Sequence, residues 1–111
     1  MKLEVGMYCY NKTNRKLGIG KIISFQRNNN VNIKYKNDIE LVSSGNVIAS
    51  FNIIDILKVG DFLDNHCIIK IENDTCYLND GWFINADDIE NLVTSVCTKE
   101  QMEQMEYKVG E

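Results

Sequence analysis

Proline is absent from this chain of 111 residues, and histidine and tryptophan occur once each. Without proline, the turns depend on clusters of Asn, Asp and Gly, which tolerate the left-handed backbone that tight turns require. No apolar segment approaches the length of a transmembrane helix or of a signal-peptide core. We therefore expect a cytoplasmic protein that has no membrane partner.

Cysteine is scarce, and its spacing argues against catalysis or metal binding. The four cysteines form no Cys-x-x-Cys pair, and each lies within or beside an apolar run: Cys9, Cys67, Cys76 and Cys97. Buried free thiols are the expected state for such residues. His66 is adjacent to Cys67, but neighbouring strand residues point to opposite faces and could hardly serve one site. We expect no catalytic residue, no metal and no cofactor.

Alternating apolar residues dominate the segments between the turns. Val31, Ile33 and Tyr35 alternate with polar residues, which is the period of a strand with one buried face. Similar short segments recur at close spacing, which favours a mostly β fold of small barrels. Gly18 and Gly20 interrupt one segment, where we expect a bulge.

An internal repeat relates the two halves of the chain. Val5-Gly6-Met7-Tyr8 matches Val59-Gly60-Asp61-Phe62. Residues 20–25 then match 67–72, residues 31–36 match 75–79, and residues 49–57 match 83–92. The repeat predicts two tandem units, residues 1–57 and residues 58–111.

The tail of the second unit has a helix-start pattern of its own. Thr98 and Gln101 have the spacing of a capping box, which predicts a short C-terminal helix. Tyr107 and Val109 would then form a closing strand.

Charge separates the two halves. Residues 1–50 carry eight basic and three acidic residues, a net charge of +5, whereas residues 51–111 carry four basic and thirteen acidic residues, a net charge of −9. A basic surface attracts nucleic acid and an acidic surface repels it. The halves are therefore expected to have different partners.

Two resemblances add to these observations. The order of a Val-Gly pair, an aromatic strand, a Gly-x-Gly-Lys-Ile bend and short strands resembles the SH3-like barrels, including the KOW and Tudor-type modules. Residues 52–61 and 96–109 resemble small uncharacterised phage and prophage proteins of Gram-positive bacteria. That resemblance implies an accessory role in a bacterial host, and such accessory proteins include inhibitors of host defence nucleases, such as anti-CRISPR proteins.

The leading hypothesis is a non-enzymatic protein that binds a host protein, such as a nucleic-acid enzyme, through an acidic face. Carboxylates spread over turns and strand edges can occupy a basic groove that normally receives phosphates. Trp82 is interpreted as a core residue or as an interface anchor, and the pattern favours the core. The predicted binding residues are Asp61, Asp64, Asp74, Asp80, Asp87, Asp88, Glu90 and Trp82.

The alternative hypothesis is a nucleic-acid-binding barrel that acts through the basic first unit. Lys34 and Lys36 are expected to share the outward face of one strand, and three further cations lie in the first loop. The candidate phosphate-binding residues are Lys12, Arg15, Lys16, Lys21, Arg27, Lys34 and Lys36. Either function is compatible with a homodimer.

Overall fold

Two compact units make up the chain, Met1–Ile56 and Leu57–Glu111. The computed structural model describes the backbone of residues 2–109 and the side chains of residues 2–104. The division lies one residue before the position that the repeat predicts.

The first unit is a five-stranded antiparallel sheet in the order β4-β3-β2-β1-β5. Its strands are β1 (Tyr8–Asn11), β2 (Gly20–Gln26), β3 (Asn30–Lys34), β4 (Ile39–Ser43) and β5 (Val47–Ser50). Short 3₁₀ turns lie at Arg15–Leu17, Ser44–Asn46 and Ile53–Asp55. The sheet is open, because among the described strands β4 and β5 each pair with a single neighbour.

The second unit is a five-stranded antiparallel sheet in the order β10-β6-β7-β8-β9. Its strands are β6 (Phe62–Leu63), β7 (His66–Glu72), β8 (Thr75–Leu78), β9 (Phe83–Asn85) and β10 (Val96–Cys97). Helix α1 (Ala86–Leu92) joins β9 to β10, and helix α2 (Lys99–Val109) follows β10. The mostly β fold with a short C-terminal helix is therefore confirmed.

The two units share their strand order. In each, four strands form a meander and the fifth strand pairs with the first. Each first strand follows a glycine with a left-handed backbone, Gly6 with φ of 95° and Gly60 with φ of 102°. The Gly6 N–H donates to the carbonyl of Ile22 over 2.8 Å, and the Gly60 N–H donates to that of Ile68 over 2.9 Å. These matched hydrogen bonds make Ile22 and Ile68 equivalent residues.

This equivalence corrects the predicted alignment, which paired Ile22 with Ile69. The pairing register shifts after the same residue in both units, between Ile22 and Ser24 and between Ile68 and Lys70. The bulge therefore lies after Ile22 and not at the two glycines. Ile68 is fully buried and Ile69 is 57% exposed, as in simple alternation, and the bulge then leaves Lys70 exposed and Ile71 half-buried.

The predicted match between residues 49–57 and residues 83–92 holds locally, since in both segments a strand leads through an asparagine cap into a helical turn, but the two strands are not equivalent in topology. Strand β5 pairs with β1, whereas β9 pairs with β8 at the other side of its sheet. By topology β9 corresponds to β4, and β5 corresponds to β10. The predicted closing strand at Tyr107 and Val109 is wrong, since helix α2 continues to Val109.

Each unit has its own apolar core. In the first unit Val31, Ile33 and Tyr35 are buried, as the alternation predicts. Cross-strand neighbours complete that core: Met7, Cys9, Ile22, Val42, Val47 and Ala49. In the second unit the buried apolar strand and helix residues are Leu63, Ile68, Cys76, Leu78, Ile84 and Ile89.

The predicted capping box is confirmed at the start of α2. The Thr98 N–H donates to Oε1 of Gln101 over 2.9 Å, and the Gln101 N–H donates back to Oγ1 of Thr98 over 3.1 Å. Two backbone donors that the first helical turn leaves unpaired are thereby satisfied. Within the described part of the chain, neither helix is long and apolar enough to cross a membrane.

Candidate functional site

An open cleft at one end of the second sheet exposes the single tryptophan. The cleft has a volume of about 360 Å³. Trp82 and Leu92 form its exposed walls, with 67% and 64% of their surfaces accessible. We call this feature the Trp82 cleft, and its lining residues are Leu63, Asp64, His66, Leu78, Asp80, Trp82, Ile84, Leu92 and Val93.

The exposure of Trp82 contradicts its assignment to the core. Trp82 and Ile84 share one face of the chain around β9, and Ile84 is buried while Trp82 projects beyond the end of the strand. Large exposed apolar side chains grouped in a concavity mark interaction sites in folded proteins. The interface-anchor interpretation is the one that agrees with this placement.

The cleft lies at the end of the sheet where the second unit has a short connection between its first two strands. Strand β6 meets β7 through a tight turn at Asp64 and Asn65, both of which have a left-handed backbone. In the first unit the corresponding connection contains the 3₁₀ turn Arg15–Leu17, and Leu17 packs against the core there. The second unit has only the two-residue turn at this position, and the cleft borders that turn.

Two carboxylates border the cleft. Oδ1 of Asp80 accepts the backbone N–H of Trp82 over 2.9 Å, and Oδ2 of Asp80 lies 3.5 Å from Nδ1 of His66. Oδ1 of Asp64 accepts the hydroxyl of Thr94 over 2.8 Å and the N–H groups of Thr94 and Ser95 over 3.0 and 2.9 Å. The Thr94 hydroxyl is the largest cause of a lowered pKa at Asp64, because a hydrogen bond to the charged form favours that form.

Helix α1 carries a second acidic group. The side chain of Asn85 caps the helix by accepting the Asp88 N–H over 3.2 Å. Asp87 and Asp88 occupy the first turn, where the helix dipole favours negative charge. The helix begins beside the β7–β8 turn, because the Ala86 N–H donates to the carbonyl of Asp74 over 2.9 Å.

The predicted acidic residues therefore do not form one face. Asp64 and Asp80 border the Trp82 cleft, whereas Asp74, Asp87 and Asp88 group around the start of α1, with Glu90 exposed further along the helix. Asp61 is fully buried, so its prediction as a binding residue is wrong. Oδ1 of Asp61 accepts the backbone N–H of Lys99, and Oδ2 accepts the backbone N–H of Lys58, each over 2.9 Å. Asp61 is a structural residue.

The outer face of the second sheet carries an aromatic pair that the sequence pattern does not reveal. Tyr77 and Phe83 are cross-strand partners whose ring centroids lie 6.1 Å apart, and Phe83 is 64% exposed. Lys70 lies opposite Tyr77 on β7, with Nζ 5.5 Å from the ring centroid. This pair adds exposed apolar surface on the face that is opposite the buried Ile84.

All of the candidate phosphate-binding residues except Arg27 lie toward one end of the first sheet. Lys21 and Lys34 are direct cross-strand neighbours, and Nζ of Lys21 lies 4.7 Å from the centroid of the Tyr8 ring. By topology, the connections that carry Lys12, Lys16 and Lys36 lie at this end of the sheet, and the turn with Arg27 lies at the other.

Two of these predictions need correction. Arg15 is only 8% exposed, and its guanidinium carbon lies 4.5 Å from the centroid of the Tyr10 ring, so Arg15 belongs to the packing of the loop. Strand β3 ends at Lys34, so Lys36 lies in the following bend and not on the strand.

A larger cleft in the first unit contains no charged residue. Its volume is about 640 Å³, and Val31, Val47 and Ala49 form a buried apolar part while Phe25 is 49% exposed. No local sequence pattern marks this cleft, because its lining comes from the N-terminal segment, the β2–β3 hairpin, the Ser44–Asn46 turn and β5 together. The other lining residues are Leu3, Gln26, Asn29, Asn30, Ser44, Gly45 and Ile48.

None of the four cysteines forms a disulfide, but only Cys9 and Cys76 are buried, whereas Cys67 and Cys97 are partly exposed. Burial raises the pKa of Cys9 to about 12 and that of Cys76 to about 11. Because the thiolate is the reactive form, both groups are almost wholly protonated at neutral pH. Among the described residues, no group of three or more His, Cys, Asp or Glu side chains could hold a metal ion.

The site thus combines an exposed tryptophan, an apolar concavity and two carboxylates in one unit. Such a combination can bind a partner through burial of apolar area and through charge. Comparison with known proteins finds no matching family model, no matching curated protein and no matching solved structure.

Proposed function

We propose that this chain is a non-enzymatic binding protein whose second unit captures a basic surface of a host protein through the Trp82 cleft. The single observation that carries the proposal is the 67% exposure of Trp82 beside Leu92 in a concave site. Tryptophan is strongly enriched among the residues that dominate binding energy at protein interfaces. A tryptophan left in water at such a site is best explained by a partner that covers it.

Charge indicates what kind of partner this is. Residues 57–111 carry four basic and twelve acidic residues, a net charge of −8. Potentials of opposite sign accelerate association and disfavour partners of like sign. The partner surface is therefore basic, as are the surfaces of enzymes that bind nucleic acid.

The sequence resemblance gives this binding protein a biological setting. Within the proposal, the chain is a phage-type accessory protein and its target is a nucleic-acid enzyme of the bacterial host, such as a defence nuclease. The strand order that both units share supports SH3-like units as the scaffold. Fold alone does not fix a function, so the proposal depends on the cleft.

Capture from a host lysate tests the proposal. The variant Trp82→Ala with Leu92→Ser removes the exposed walls of the cleft, and its loss of the captured partner is the expected result. The control variant Ile39→Ser with Leu41→Ser removes two aliphatic side chains of the first unit that are 62% and 55% exposed. Mass spectrometry identifies the captured protein. The proposal would be contradicted if the cleft variant captured as much of the partner as the control variant does.

A second candidate function is nucleic-acid binding by the first unit, and one observation favours it. Lys21 and Lys34 are directly opposite each other on neighbouring strands. Like charges in this arrangement destabilise a sheet, and a bound phosphate would relieve their repulsion. Gel-shift affinity for single-stranded DNA should then fall steeply with salt and weaken in Lys21→Gln with Lys34→Gln. Absence of a shift at low salt would exclude this candidate.

A further inference from the structure

We infer that the Trp82 cleft accepts an arginine side chain of the partner. This inference rests on the proposed function and specifies what enters the site. At about 360 Å³ the cleft lies near the lower end of the 300 to 1,000 Å³ range that is typical of ligand pockets. It has room for one long side chain together with a little of its backbone.

The lower part of the cleft fits an aliphatic stem. Leu63, Leu78 and Ile84 line it and are themselves between 1% and 7% exposed, so the surface beneath an entering group is fixed and apolar. Arginine buries its methylene stem against apolar surface while its charged head stays near water.

The wall and the rim fit the charged head. A guanidinium stacks on the face of an indole, and Trp82 supplies the one indole of the chain. Asp64 accepts its four described hydrogen bonds at Oδ1, so among the described residues none reaches Oδ2. Among the described residues, the polar partner of Asp80 Oδ2 is the partly exposed His66, whose Nδ1 lies 3.5 Å away.

These contacts favour arginine over the alternatives. The planar guanidinium can stack on the indole and donate two hydrogen bonds to a carboxylate at once, whereas an ammonium acts as a point charge. A purely apolar side chain would leave the carboxylates at the rim without a cation. The repulsion from a unit of charge −8 disfavours an anionic group.

Tryptophan fluorescence reports directly on this site, because the chain has a single tryptophan. The full chain is titrated with a hexapeptide of arginine, with one of lysine and with one of citrulline, which keeps the shape of arginine but not its charge. We expect a saturable change in Trp82 emission with the arginine peptide, with affinity at least threefold above the lysine peptide and at least tenfold above the citrulline peptide.

Variants separate the cleft from the general negative charge. Asp80→Asn should weaken the arginine peptide at least fivefold, whereas Glu72→Gln, which removes an exposed acid at the far end of β7, should change its affinity less than twofold. Equal weakening by both variants, equal affinity for arginine and citrulline peptides, or an unchanged emission would overturn the inference. If the arginine inference failed in this way but capture from the lysate still required Trp82 and Leu92, the proposed function would stand without the arginine inference.

Discussion

The backbone N–H of Lys99 donates a 2.9 Å hydrogen bond to the buried carboxylate of Asp61, 38 residues earlier in the chain. The other carboxylate oxygen accepts the Lys58 N–H at the same distance. A single side chain therefore fixes both the turn before β6 and the start of α2. Since α2 follows β10 directly, this carboxylate also holds the chain where β10 ends.

Replacing Asp61 with asparagine should destabilise the second unit. The amide keeps one acceptor oxygen but presents an NH₂ group to a backbone donor, and a hydrogen bond to a charged group contributes about 1.5 to 3 kcal/mol. We expect Asp61→Asn to lower the free energy of unfolding by about 2 kcal/mol. Urea denaturation followed by circular dichroism and Trp82 emission measures the change.

The matched control is Asp74→Asn in an exposed turn. Asn tolerates the left-handed backbone that Asp74 adopts, and exposed substitutions usually change stability by less than about 0.5 kcal/mol. A stability for Asp61→Asn that equals that of Asp74→Asn would contradict the structural role of Asp61.

Gly20 is required because another backbone approaches it closely. A Cβ atom there would lie 2.5 Å from the carbonyl oxygen of Lys34 and 2.9 Å from Cγ2 of Ile33. Strands β2 and β3 would have to separate, and overpacking of this kind typically costs about 1 to 3 kcal/mol. We therefore expect Gly20→Ala to lower the denaturation midpoint clearly.

Gly45→Ala is the corresponding control, because a Cβ at Gly45 would meet no atom within 4 Å. Its denaturation midpoint should stay close to that of the original chain. If the two alanine variants unfolded at the same urea concentration, the close approach at Gly20 would not limit stability.

Local patterns predicted the elements of this fold because their physical causes are local. Alternation identified the inward residues of β3, and the spacing of Thr98 and Gln101 located the start of α2. The glycines that precede β1 and β6 were visible as a repeat. The alternation and the capping box depend on residues within a few positions of one another, and each copy of the Val-Gly pair is itself a local pattern.

The site was predicted less well because its determinants are long-range. The bulge after Ile68 shifts the alternation by one residue, so that Lys70 is exposed and Ile71 is half-buried, and no local residue type marks that position. Asp61 resembles the other acids of the second unit, yet its partner Lys99 lies far along the chain. Trp82 follows the alternation of a core strand, yet it lies just before β9 begins and is 67% exposed.

Thiol reactivity should follow burial. Cys9 and Cys76 are fully buried and have raised pKa values, whereas Cys67 and Cys97 are partly exposed. Brief treatment of the native protein with iodoacetamide at pH 8 should leave Cys9 and Cys76 unmodified, since both access and thiolate are lacking. In urea all four should react. Peptide mass spectrometry assigns the modified residues, and early labelling of Cys9 or Cys76 would contradict the described cores.

Asp64 should make the stability of the second unit dependent on acid pH. Its pKa is lowered in the folded protein from the ordinary value of 3.8, chiefly by the hydroxyl of Thr94, so the folded state binds protons more weakly than the unfolded chain. This stabilisation is fully present above the unfolded pKa and is lost as the pH falls through the folded pKa.

The variant Asp64→Asn isolates this contribution, because asparagine tolerates the backbone of Asp64 and cannot ionise. Urea midpoints measured between pH 7 and pH 2.5 should show the variant less stable at neutral pH. The difference should begin to narrow below about pH 5 and be smallest at the lowest pH, because protonation then removes the charge from Asp64 as well. The other ionisable groups are the same in both proteins and cancel to first order in the comparison. A stability difference that stays constant down to pH 2.5 would show that the hydrogen bonds from Thr94 and Ser95 do not favour the ionised form.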